Sequence, residues 1–236
     1  MKLEELVRQL QLAYGEGLRS VVLFGSAVAG EHTKKSDYNV LVVVDALPLE
    51  RLRAVAAVSK AWADDGNPPP MTFTTKEFKS SADIFPMEYA DILERHRVLH
   101  GTPPFDGVTV SPKHLRLELE QQAMGKLLHL RQGVLASGGD NKLQLELLEA
   151  SLSTFMVIFR AAARLHGESP STDYEALSEA TARRVGFDAA PFVRVARHVR
   201  GTSKLTTAEV PQILAGYVTG VEQLVLHLDR YHHDNP

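Results

Sequence analysis

Two short, strongly β-branched runs, SVVLFGS at Ser20–Ser26 and NVLVVVD at Asn39–Asp45, constrain this chain more than any other feature. Each has strand length, and each is bounded by turn-forming or polar residues, so both read as buried strands of one sheet. The flanking sequence reads as helix. Leu3, Leu6, Val7, Leu10 and Tyr14 form an apolar stripe that stops at Gly15 and Gly17, and LERLRAVAAVSKAWADD predicts a helix over 49–64. Pro68-Pro69-Pro70 fits neither a helix interior nor a central strand, so it predicts a rigid approach to the next element. That element, MTFTTKEF, reads as a third strand, and residues 84–99 as a short helix and a strand ending at Leu99.

The sequence changes character after the breaker-rich stretch His100–Gly107. Ser111-Pro112 is a helix start, with serine as cap and proline already at helical φ. Helices follow to about Leu135, over Asn141–Leu165, near 173–185, over a shorter stretch at 190–200, and over 207–230, with capping-box signals NKLQ, TDYE and TAEV at three of the starts. The expected architecture is α+β. An N-terminal domain, 1–105, carries a small mixed sheet; a C-terminal helical bundle, 111–236, follows, with a ligand cleft between the two.

Composition narrows the chemistry. The 236 residues include no cysteine, which excludes disulfides, thiolate nucleophiles and cysteine-held metals. With 26 basic and 29 acidic residues the chain has no polycationic character, so no long nucleic acid is expected as a partner. MKLEELVRQL lacks the features of a signal peptide, and no run reaches the ~20 apolar residues of a membrane span, so a cytoplasmic protein without a membrane partner is expected.

The functional information concentrates in FGSAVAGEHTKKSDYNVLVVV. A strand running into Gly25-Ser26 and then a turn brings backbone N–H groups and the Ser26 hydroxyl to where a phosphate can approach. No GK[ST] follows and the GxGxxG spacing is missing, so neither a Walker loop nor a dinucleotide fingerprint is present. Ten residues separate Ser26 from Asp37, giving Gly-Ser, a spacer, then Ser36-Asp37-Tyr38-Asn39 and an apolar strand. This pattern resembles the polymerase-beta-like nucleotidyltransferase superfamily, as does FPMEYADILERHRVLHG further on.

The resemblance implies that Gly25 and Ser26, with Ser36 and Lys35 nearby, hold nucleotide phosphates, and that Asp37 ligates magnesium. Residues i and i+2 of a strand share a face, which is where the family places its second acid. Asn39 stands there instead, an amide that can coordinate metal only weakly. The third family acid should come from MTFTTK, which offers Thr72 and Thr74; Glu77, Asp45 and Asp65 are the acids that a shifted alignment could bring in. The implied substrates are a nucleoside triphosphate, ATP first, with Mg²⁺, and a small hydroxyl-bearing acceptor. The implied outcome is transfer that is weakened or lost, the alternative being a non-catalytic nucleotide- or partner-binding scaffold. A homodimer through the helical half is expected from its long apolar faces.

Outside that segment, Arg160 and His166 have a spacing that resembles helical ribonuclease domains, a minor alternative. His232-His233-Asp234 reads as a polar chain end, and Phe155, Met156 and Phe159 as bundle core.

Overall fold

The structure, a computed structural model, describes residues 1–28 and 38–231. The chain divides into two compact units, Met1–Val110 and Ser111–Pro236.

In the first unit, α1 (Leu3–Tyr14) precedes β1 (Leu18–Phe24), which ends in a short 3₁₀ turn, Gly25–Ala27. There follow β2 (Asn39–Val44), α2 (Leu49–Asp64), β3 (Met71–Thr74), α3 (Thr75–Ser80), α4 (Pro86–Glu94) and β4 (His96–Gly101). The sheet order is β3-β2-β1-β4, with β1 antiparallel to β2 and β4, and β2 parallel to β3. Both central strands are buried on both faces, which is why they appear in sequence as continuous apolar runs.

The period-2 alternation sorts side chains onto two faces. Val21, Leu23, Val40, Val42 and Val44 pack with Leu6, Leu10 and Tyr14 of α1 and Val55 and Trp62 of α2. Val22, Phe24, Leu41 and Val43 pack on the other face with Phe78 of α3 and Tyr89 and Ile92 of α4. The triple proline earns its place through Trp62, fully buried, whose indole N–H donates to Pro68 O at 3.0 Å. At the far end of the sheet Gly101 is required: at φ +75° a Cβ would sit 1.9 Å from Arg19 O.

MTFTTKEF departs from the expected strand after four residues. Thr74 accepts from the Glu77 N–H while the Glu77 carboxylate accepts from the Thr74 N–H, a capping box that turns the chain into α3.

The second unit contains α5 (Pro112–Ala136), α6 (Asn141–Leu165), α7 (Tyr174–Val185), α8 (Ala190–Val199) and α9 (Val210–Arg230). Its core is aromatic: the Phe192 and Tyr217 rings stack at 4.1 Å, and Phe155 meets Tyr217 edge-on at 5.6 Å. Burial pushes the Tyr217 hydroxyl pKa up, while Ser151 supplies its hydrogen-bond partner. Several caps differ from the sequence reading. Asp140 caps α6 and Asp173 caps α7, each one residue from the expected position, because an aspartate oxygen reaches two N–H groups at once. Ser111 makes no side-chain cap. The TAEV segment forms a turn in which Glu209 accepts from the Thr206 N–H and hydroxyl, so α9 begins at Val210.

Candidate functional site

The site builds up from the meeting of three elements at one end of β1 and β2. Phe24 pairs with Asn39 across the β1–β2 ladder and with His96 across β1–β4, so the Gly25 turn, the start of β2 and the start of β4 lie at one edge. Gly25 sits at φ +78°, a conformation that an L side chain resists. A methyl group there would stand 3.4 Å from Asn39 Nδ2 and 3.7 Å from Asp91 Oδ2. An amide from β2 and a carboxylate from α4 therefore converge on the backbone of the turn.

The approach to β2 is fixed by Asn67. Its side-chain oxygen accepts from the Tyr38 N–H at 2.9 Å, and its amide donates to Trp62 O at 3.4 Å, so the buried Asn67 has both ends engaged. The Tyr38 ring lies 5.9 Å from that of Trp62. On the other side of the edge, His96 Nδ1 donates to Ile92 O at 2.8 Å, which places the ring proton on Nδ1, and the ring packs 4.3 Å from Phe105.

Among the residues singled out in sequence, Gly25 and Asn39 lie close together. Ser26 lies in the turn with Gly25. Lys35, Ser36 and Asp37 lie outside the described residues. The candidates for a third acid are each engaged by another partner. Glu77 is engaged in the α3 capping box, which holds its pKa below the usual carboxylate value. Asp45 follows the opposite end of β2 and pairs with Arg19, whose hydrogen bonds likewise lower its pKa. Asp65, past the end of α2, pairs with the chain's N-terminal amine.

The threonines of β3 require a correction. Thr72 pairs with Val42 and lines a pocket of about 290 Å³ with Leu6, Leu10 and Val55, so it faces α1 and α2 rather than the Asn39 side. Asn39 alternates with Leu41 and Val43, and the β3 residues on that face are Met71 and Phe73, both packed into the α3/α4 core.

Asp91 went unrecognised in sequence. The signal is an acid inside a helix whose Met87, Tyr89 and Ile92 are buried, though nothing in the linear pattern ties it to Gly25, 66 positions earlier.

Two magnesium ions in the family manner would need acids converging from neighbouring strands. The described residues do not fit that requirement: β3 offers Met71 and Phe73, β2 offers Asn39, and no group of three His, Asp or Glu side chains among them could hold a metal ion. What they bring together is a glycine turn, an amide and one helix-borne carboxylate.

In the helical unit, Arg160 and His166 are six positions apart, which on an α-helix turns their side chains roughly 120° away from each other. His166 instead meets His227 of α9.

Comparison with known proteins bears on the whole chain. Residues 1–99 match the family model of the nucleotidyltransferase domain. Among solved structures, spectinomycin adenyltransferase AAD(9) from Enterococcus faecialis, determined with ATP and spectinomycin, superposes with a TM-score of 0.59 at 10% identity, covering 97% of this chain and 100% of that one. The likeness is one of fold. A toxin-antitoxin structure with AMP-PNP aligns at a TM-score of 0.31 and 17% identity, over 58% of this chain and 98% of that one. No curated protein matches in sequence. No helix among the described residues is long and apolar enough to cross a membrane.

Proposed function

Starting from a chain whose residues 1–99 carry a nucleotidyltransferase domain, we propose that the N-terminal unit binds a nucleoside triphosphate, ATP first, at the Gly25-Ser26 turn. In this reading metal-dependent transfer of a nucleotidyl group to a hydroxyl acceptor is weakened or lost. The observation that carries it is the face of the sheet beside Asn39: an amide on β2 and Met71 and Phe73 on β3, where the family has acids.

The phosphates would be held by the backbone N–H groups of the turn and the Ser26 hydroxyl, with Lys35 and Ser36 contributing from the following segment. Gly25 leaves the turn open to an anion, since any other residue would be strained at φ +78° and would fill the space beside Asn39 and Asp91. Asn39 can donate to a phosphate oxygen through Nδ2, a role closed to the aspartate it replaces. Asp37 is the motif acid that the sequence retains, two positions before Asn39, and Asp91 is a second carboxylate, from α4. Together they bring less negative charge than a three-acid strand site, so a magnesium ion is held less strongly against its own hydration. The adenyltransferase neighbour's ATP supports adenine as the first base to try; a small hydroxyl-bearing molecule is the acceptor class for any residual transfer.

Calorimetric titration with ATP, with and without Mg²⁺, alongside pyrophosphate release tests this. ATP binding that Gly25→Val abolishes, with pyrophosphate release no higher than in Asp37→Ala, supports the reading. Robust release that Asp37→Ala abolishes replaces it with an active transferase.

We also read the exposed face of α5 as a homodimer surface. Leu117, Met124, Leu128 and Leu135 are exposed there, and their spacing is symmetric about Lys126. Antiparallel pairing of two copies would set Leu117 against Leu135 and Met124 against Leu128, the self-complementary pattern a two-fold contact requires. Sedimentation of wild type and Leu128→Lys tests it: a dimer made monomeric by the substitution supports it, and a monomeric wild type refutes it.

A further inference from the structure

We propose that His166 and His227 form a binding site for a divalent transition-metal cation of the zinc class, in the helical unit and separate from the nucleotide site. His166 caps the C-terminal end of α6, and His227 lies in the last turn of α9, 61 positions later. Their Nε2 atoms face each other at 3.0 Å, with ring centroids 5.2 Å apart and planes inclined at 50°. Two imidazole nitrogens bound to one zinc-sized ion at ~2.0–2.1 Å stand about 2.9–3.4 Å apart for ligand angles between about 90° and 109°. The pair therefore already has the spacing of two adjacent ligands, and the hydrogen bond between the nitrogens keeps that spacing without metal.

The surroundings hold the rings in place. Tyr231 meets the His166 ring edge-on at 5.0 Å and anchors its own hydroxyl by donating to Leu165 O at 3.1 Å. Beside His227 a recess of about 530 Å³, lined by Val185, Gln223, Leu226, Arg230 and Tyr231, leaves room for water to complete a coordination shell. Arg184 faces both histidines and opposes a cation, but its guanidinium is paired with Glu168. The hydrogen bond between the two Nε2 atoms needs one of them to offer a lone pair. Neutral imidazole is the ligating form. On binding, the ring that donates through Nε2 moves its proton to Nδ1, so both Nε2 lone pairs become available to an ion lying off the N···N line and no net proton need leave.

The test uses the full chain carrying His232→Ala and His233→Ala, so that the neighbouring histidines of the chain end contribute nothing. Co²⁺ is titrated while its visible d–d absorption is followed, then displaced with Zn²⁺. One Co²⁺ per chain, with affinity reduced at least tenfold by His166→Asn and by His227→Gln separately, supports the site. The absorption band reports ligation by the rings and is not produced by a merely structural hydrogen bond. Each variant is checked by thermal melting, and if one fails to fold the other gives the reading. Absence of a Co²⁺ band in the tail-substituted protein, or a band left unchanged by both histidine substitutions, overturns the proposal.

Discussion

The two units gather their polar side chains in different ways. In the N-terminal unit the polar side chains meet at a strand end, where a turn and a strand start close in sequence set Gly25 beside Asn39, and Asn67 and Asp91 join them from farther along the chain. In the helical unit the polar meeting of His166 and His227 joins two helix ends far apart in sequence. The first arrangement follows from strand geometry and can be read from a motif. The second exists only after the bundle has packed, and no local spacing announces it.

The comparison breaks most sharply if the N-terminal unit can be unfolded alone. Gly101→Ala would place a Cβ against Arg19 O and Ser20 Cα, at a φ that alanine resists, and should cost several kcal/mol, of the order seen for severe backbone conflicts. The expected result is an early thermal transition for residues 1–110 while the transition of the helical unit stays in place; one unsplit transition at the wild-type temperature would contradict the strand-end account.

A smaller loss is expected from Asn67→Ala, which removes the acceptor for the Tyr38 N–H and leaves that group unsatisfied at a cost of about 1–3 kcal/mol. It should also weaken ATP binding, because the start of β2 is no longer held; a melting shift with unchanged ATP affinity would separate Asn67 from the site.

Asn39→Asp sharpens the comparison from the other direction. It restores a carboxylate beside Asp91, so ATP binding should become more dependent on Mg²⁺, checked by calorimetry at matched ionic strength. Without the metal, affinity for ATP should fall, since the new charge repels phosphate. Equal affinities in wild type and variant with and without Mg²⁺ would place the phosphates elsewhere.

The smallest effect concerns the turn before α9. The Thr206 N–H and hydroxyl, and then Arg194, hold the Glu209 pKa down to about 2 from its ordinary 4.5. A depressed carboxylate stabilises the fold above its unfolded pKa, and that contribution is lost as pH falls from about 4.5 toward about 2. Glu209→Gln should lower the melting temperature near neutral pH and flatten its dependence across that acid window, while leaving ATP binding intact. An unaltered acid limb in the variant would remove Glu209 from the account.

Much of the fold was legible because the apolar periods are long and unambiguous: α6 runs over Asn141–Leu165 as its pattern predicts, and both central strands coincide with their β-branched runs. The errors lie where a side chain competes with propensity. Thr74 and Glu77 convert the second half of a β-branched run into α3, and Asp140 and Asp173 take caps from their neighbours. In the site, Gly25 and Asn39 were visible through spacing. The orientation of Thr72 was not, since a one-residue change of register reverses the face of every side chain in a strand. Asp91 was hidden for another reason: its proximity to Gly25 depends on how α4 lies on the sheet.

The central claim, a nucleotide site with its transfer chemistry diminished, meets its most direct test in pyrophosphate release from ATP and Mg²⁺ by wild type and Asp37→Ala in parallel, with binding measured on the same samples. The account predicts saturable ATP binding and a release rate that the two proteins share. Rapid release by wild type that disappears in Asp37→Ala would contradict it.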